Sequence, residues 1–295
     1  MAATPDPDPA SRYAHLDFDP EAVEVRPAAT VMIVDDRPDL HVLMLKRNAR
    51  SVFVGDMWVY PGGAVDPEDG HGRNEELCSG EDDTSASAAL GIESDGLAYW
   101  VAALREMFEE AGVLLAHRAG ETGLIDLSKP EVEAAFSQYR DAVNDGTAEF
   151  MDVVAREDLR LELTDMHYVG HWLTPVGPPR RYDTRFFLAA MPAGQTPLHD
   201  DDEAVHHEWV RPRDALAMNR SDEMVMMTPT VAMLKRLLPW QAAAEAVAAA
   251  SGGEVEQARI LPDVDGPERI VFPGEPGYDT ADPEVEFGWV TLASC

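Results

Sequence analysis

The sequence predicts an α/β or α+β sandwich, and three observations predict it. Aliphatic, β-branched runs at residues 28–34 and 41–46 read as neighbouring strands. Leu97, Trp100, Val101, Leu104, Phe108 and Ala111 recur at spacings of three and four, which lays one apolar stripe along a helix. Strand-like and helix-like segments then mix along the rest of the chain, so helices are expected to cover a sheet.

Residues 1–22, rich in Pro, Asp and Ala, read as a loosely attached arm. A third short strand at 57–60 is stopped by Pro61-Gly62-Gly63. Residues 66–96 carry acidic side chains from Asp66 to Asp95 among Gly, Ser and Ala, with no persistent period, and predict a long acidic loop. The striped helix follows over 97–115, with Asp95 as its cap. Further helices are predicted at 130–144, 148–158 and 212–218, and a long one over 228–250 is interrupted at Pro239. Strands are predicted at 166–173, 185–190 and 207–210, and short ones at 260–261, 270–272 and 287–292 in a Gly/Pro-rich tail. The expected organisation is one enlarged domain over 23–250, flanked by the arm and by an extension at 251–295.

The chain has 295 residues, 45% of them hydrophobic, which is enough for a substantial core. Its 23 basic residues face 55 acidic ones, a net charge of −32. That balance argues against nucleic acid and anionic membrane surfaces as partners. Cys78 and Cys295 do not look like halves of a disulfide, and no Cys/His cluster has zinc spacing. Neither a signal peptide nor an apolar membrane span is legible, so the cytoplasm is the expected location.

The chemistry is concentrated on the striped helix. Opposite its apolar face stand Glu106, Glu109 and Glu110, within one turn of one another. Like charges so placed repel, and a hard cation with oxygen ligands reverses the sign, magnesium being suited to carboxylates combined with substrate phosphates. Arg105, four residues before Glu109, is placed to orient it. Gly112 closes the helix, and Gly62-Gly63 offers bare backbone at a strand end. Arg180, Arg181 and Arg185 are the best local cations for substrate phosphates. His206 and His207, adjacent on a strand, should point to opposite faces and read as non-catalytic.

The segment Arg105-Glu106-Met107-Phe108-Glu109-Glu110-Ala111-Gly112-Val113 resembles the second half of the Nudix box, and Tyr60-Pro61-Gly62-Gly63-Ala64-Val65-Asp66 resembles its first half. Asp69 stands where the box has a glutamate, and residues 70–96 split the motif. A split box is similar to the branch that includes peroxisomal coenzyme A diphosphatases. Thr174-Pro175, the run from Arg180 to Phe187, and Glu208-Trp209-Val210 also match.

The resemblance implies a Nudix-type α/β/α sandwich around a mixed sheet, with extra helices and a strand-rich tail. It implies hydrolysis of a diphosphate in a nucleoside-diphosphate-type metabolite, with coenzyme A or an acyl derivative as the first expectation and ADP-ribose, NADH or nucleotide sugars as the alternative; a nucleotide sensor is the non-catalytic reading. Mg2+ or Mn2+ is expected on Glu106, Glu109, Glu110, the Gly62 carbonyl and, from a later loop, Glu208, with Asp200, Asp201, Asp202 and Glu203 competing for that last role. Glu106, Glu109 and Arg105 form the expected catalytic group, and Gly63 joins the arginines in substrate binding. Either Asp69 or another carboxylate of the insertion takes the role of the box glutamate. A homodimer is the expected assembly.

Overall fold

The computed structural model describes residues 17–49, 55–174, 178–251, 256–257, 259–261, 269–272, 274–281 and 288–290. Its frame is a mixed sheet of nine strands. Strand β1 (Val25–Asp36) lies in the middle, antiparallel to β2 (Leu40–Arg47) and parallel to β9 (Arg181–Ala190). The order runs β10 (Ala204–Val210), β2, β1, β9, β8 (Met166–Leu173), β14 (Gly288–Val290), β11 (Glu256–Gln257). Two short strands attach to it: β3 (Trp58–Val59) beside β2 and β4 (Gly62–Ala64) beside β1.

Alternation along β1 divides the core. Ala29, Val31 and Ile33 face α2 (Leu97–Ala111), while Met32 and Val34 face α5 (Pro212–Arg220), α6 (Thr228–Leu237) and α7 (Ala243–Ala250). Helices therefore cover both faces, the three-layer arrangement expected.

Several boundaries differ, each for a local reason. Residues 66–96 are not a structureless loop. They fold into 3-10 turns at Pro67–Gly70 and Gly72–Leu77, strand β5 (Cys78–Ser79) and helix α1 (Asp83–Leu90). Strand β5 joins a second sheet with β7 (Leu159–Glu162) and β6 (Ala116–Arg118), and α1 buries Ala86 and Leu90 against the core. Asp82 and Ser85 cap α1 reciprocally.

Helix α2 ends at Ala111, four residues before the expected end, because Gly112 adopts φ 65°. Asp95 is not its cap. It sits at φ 65° itself, and the Leu97 amide donates instead to Asp83 Oδ1. The long helix at 228–250 is two helices, α6 and α7, as Pro239 anticipated. Strands β9 and β10 begin earlier than predicted, at Arg181 and Ala204. Helices α3 (Pro130–Asn144) and α4 (Phe150–Arg156) pack beside α2 and the second sheet. In the tail, β12 (Arg259–Leu261) pairs with β13 (Arg269–Val271), and β14 extends the main sheet. Residues 1–16 of the expected arm, Pro175, Phe287, residues 291–292 and Cys295 lie outside the described residues.

Candidate active site

The last turn of α2 and strand β4 meet because β4 pairs with β1 while α2 packs across it. Gly63 lies opposite Ala29 and Gly62 opposite Thr30. A Cβ on Gly63 would come within 2.4 Å of Glu106 Oε1, so the glycine is what lets the carboxylate reach the strand. The Gly62 amide donates to Glu110 Oε2 at 3.0 Å.

Arg105 gathers the carboxylates. Its Nη1 donates to Glu106 Oε1 at 2.8 Å and to Glu109 at 3.3 Å, and its Nη2 donates to the Ala64 carbonyl at 2.8 Å. Asp69 takes Nε at 3.0 Å and Nη2 at 2.9 Å. Asp69 is only 3% exposed, and its turn is held by Asn74, whose Nδ2 donates to the Glu68 and Asp69 carbonyls. Within the insertion it is thus Asp69 that braces the motif arginine. Its carboxylate also accepts from the Asp66 amide, so it fixes the loop leading out of β4.

Burial shapes the electrostatics. Glu106 and Glu110 are 9% and 3% exposed. Desolvation pushes the Glu106 carboxyl up to about 8 against the pull of Arg105. Glu110 is raised well above the ordinary carboxylate value by desolvation and by the charge of Glu106, against the weaker pull of Arg47. Glu109 and Asp69 are raised by burial too, less strongly. Burial also works against the Arg105 charge, but Asp69, Glu106 and Glu109 override it and hold the guanidinium firmly protonated. Among the described residues, no three His, Cys, Asp or Glu side chains are gathered as a ready metal cage. The glutamates are turned onto Arg105, the Gly62 amide and Arg47 instead.

The turn opens into a cavity of about 1180 Å³. Gly62, Gly63, Arg105, Glu106, Glu109 and Glu110 form its acidic end, and Tyr60, Trp172, Phe186 and Met226 part of its apolar wall. Of the three candidate arginines, only Arg180 lines it. Strand alternation gives the reason. Tyr182, Thr184 and Phe186 face the cavity, so Arg181 and Arg185 face away. Arg181 Nε donates to the Thr174 carbonyl, and Arg185 lies 5.7 Å over the Tyr99 ring on the α2 side, with Tyr168 and Asp183 at 3.5 Å.

Glu208 does not line the cavity either. It pairs with Met44, whereas the cavity takes in Arg47 at the end of β2, opposite Ala204, so Glu208 lies four residues farther along β10. Glu203, from the loop before β10, occupies the place expected of it, lining the cavity and ion-paired with Arg47 at 3.1 Å. Arg47 also lies 3.7 Å from Glu110. Glu203 was one of the competing loop carboxylates; Arg47 was not singled out from sequence. Arg47 ends β2, and its position after an apolar strand was the only available signal. His206 and His207 are absent from the cavity lining. They pair with Lys46 and Leu45 in turn, His206 lying against the Trp58 ring and His207 against His199.

Comparison with known proteins accords with this geometry. The family model described as the NUDT19 Nudix domain matches residues 73–237, more than half of the chain. The chain belongs to the Nudix hydrolases. It is 26% identical over 228 residues to the acyl-coenzyme A diphosphatase NUDT19 of Xenopus laevis, covering 68% of this chain and 60% of that protein. It is 30% identical over 155 residues to the protein of that name from Homo sapiens, covering 50% of this chain and 40% of that one. The chain therefore spans less than two thirds of these relatives' length. Among solved structures, a NUDIX hydrolase from Alicyclobacillus acidocaldarius aligns with TM-score 0.61 and 29% identity, covering 79% of this chain and all of that one. The family match begins inside the insertion, beyond Gly62-Gly63, and takes in the segment from Arg105 to Val113. No helix among the described residues is long and apolar enough to cross a membrane.

Proposed function

We propose that this protein hydrolyses the diphosphate linkage of a nucleoside-diphosphate-type metabolite, with coenzyme A or an acyl-coenzyme A as the first substrate to test. The observation that carries this reading is the convergence of Glu106, Glu109 and Glu110 with Gly62-Gly63 at the closed end of a large, partly apolar cavity. The relatives' name, acyl-coenzyme A diphosphatase, supports the substrate class.

The donor set fits Mg2+ or Mn2+. Two buried carboxylates whose ionisation is disfavoured, and a third beside them, are the oxygen donors a hard divalent cation requires. Glu106, Glu109 and Glu110 would hold it, with Glu203 the nearest loop carboxylate. When bound, such a cation neutralises charge on the bridging phosphates and lowers the pKa of a coordinated water. Arg105, anchored by Asp69, keeps Glu106 and Glu109 on one side of the turn. Arg180 and Arg47 are the cations available for substrate phosphates. Trp172, Phe186 and Met226 give the remainder of the cavity part of its apolar wall.

The test is product formation from coenzyme A, an acyl-coenzyme A, ADP-ribose, NADH and a nucleotide sugar, with Mg2+ or Mn2+ and with chelator. Metal-dependent release of two phosphate-bearing fragments from a coenzyme A compound supports the reading. Cleavage of ADP-ribose or NADH alone keeps the chemistry and replaces the substrate. Tight nucleotide binding without cleavage moves the protein to a sensing role.

A further inference from the structure

Helix α2 ends in a way that a helix on its own would resist. Its last turn carries Glu109 and Glu110 and no basic residue, which places two carboxylates at the negative end of the helix dipole. The last carbonyls also need donors. Both needs are met from α3. Arg140 Nε donates to the Glu109 carbonyl at 2.7 Å, and Asn144 Nδ2 reaches the same oxygen at 3.4 Å. The guanidinium lies under the closing glycine, for a Cβ on Gly112 would stand 3.2 Å from Arg140 Nη1. Gly112 therefore serves twice, allowing φ 65° and leaving room for the arginine.

Arg140 is 9% exposed. Burial works against its charge, and Asp200, Asp141, Glu110 and Asp201 are the carboxylates whose field supports it. Its Nη2 is buried with no hydrogen-bond partner, a cost that an apolar side chain at this position would avoid. Asp200 and Asn144 both line the cavity, so Arg140 links α3, the loop before β10 and the glutamate turn.

We propose that Arg140 is a positioning residue for the diphosphate hydrolase site: it closes α2 from outside and fixes the backbone from which Glu109 and Glu110 project. The proposal rests on the metal-dependent reading above. Arg140 does not itself line the cavity and bonds no carboxylate oxygen of the turn; it acts through the Glu109 carbonyl.

The test compares wild type, R140M and R140K in the full chain, reading the Mn2+ concentration for half-maximal activity, kcat and KM separately, and amide exchange over residues 109–113. R140M should raise the half-activating Mn2+ concentration about tenfold, accelerate exchange in that turn, and lower kcat more than it changes KM. R140K keeps the charge and one donor and should recover most of the loss, leaving a shift of about two- to threefold. Unchanged Mn2+ activation and exchange in a folded R140M overturn the proposal. If R140M does not fold, R140K decides: a shifted midpoint supports it and an unshifted one overturns it. Wild type that neither binds Mn2+ nor hydrolyses any substrate overturns the parent reading, and this proposal with it; that outcome is separate from a normal wild type with an indifferent R140M.

Discussion

Two acidic regions stand side by side in this molecule and behave differently. The insertion at 66–96 is densely acidic, yet Glu68, Glu76, Glu93 and Asp95 are exposed to solvent, and Glu75 and Asp82 spend themselves on local caps. The stretch of α2 from Glu106 to Glu110 has only three glutamates, but two are buried and all three sit on a strand, an arginine or both. Chemistry follows burial and convergence, and density of charge alone predicts little. Asp69 is the exception that joins the regions, an insertion carboxylate drawn into the core by Arg105.

The contrast can be broken most severely at the turn itself. Glu109→Gln or Glu110→Gln should lower kcat by about a thousandfold or more, the scale of losing a transition-state electrostatic partner, while the circular dichroism spectrum is unchanged. Comparable charge removal in the insertion, Glu76→Gln, should leave kcat as it is. Full activity in both helix variants would show the turn to be an ordinary acidic face.

Asp69→Ala should be the most damaging stability change in the insertion. It takes two hydrogen bonds from a buried guanidinium that keeps Glu106, Glu109 and the Ala64 carbonyl, a loss of about 2–3 kcal/mol, measurable by urea unfolding. Gly63→Ala should spare the fold, since its Cβ meets only the end of the Glu106 side chain, yet lower kcat/KM by about 100-fold through misplacement. Gly62→Ala should instead damage folding, because its Cβ meets the Ala29 carbonyl at 2.5 Å and Thr30 Cα at 2.7 Å.

The smallest effect is a pH dependence. Burial pushes the Glu106 carboxyl up from 4.5 to about 8 in the fold, so between these values the folded state binds more protons and stability falls as pH rises. Glu110 is raised by the same causes and acts in the same direction. His167 and His207, held below 6.5 by burial, act oppositely but around and below pH 6.5. The metal-free melting temperature should therefore fall between pH 7 and pH 8, and Glu106→Gln should flatten that slope.

Much of the site was legible because it is written locally. The stripe from Leu97 to Ala111 gave the helix, and spacings of three and four put the glutamates together. The closing role of Gly112 followed from the same segment. What the sequence hid was long-range or small. Asp69 meets Arg105 only because a 3-10 turn folds back across α2. Helix α1 is Ala/Ser-rich with little amphipathic contrast, so its period was invisible while its Asp82 cap was not recognised. Arg180, Arg181 and Arg185 could not be told apart without the alternation of β9 around them, and Glu208 was preferred to its competitor Glu203 by reading the carboxylate off the strand and not the loop before it.

The most direct test is calorimetric titration of the chelator-treated protein with Mn2+ at pH 7 in buffers of different ionisation enthalpy, repeated with Glu106→Gln/Glu110→Gln. If the buried turn holds the metal, binding at pH 7 should release protons from glutamates whose ionisation burial disfavours, and the double variant should lose both binding and release. Tight Mn2+ binding that releases no protons and survives the double substitution would contradict the account.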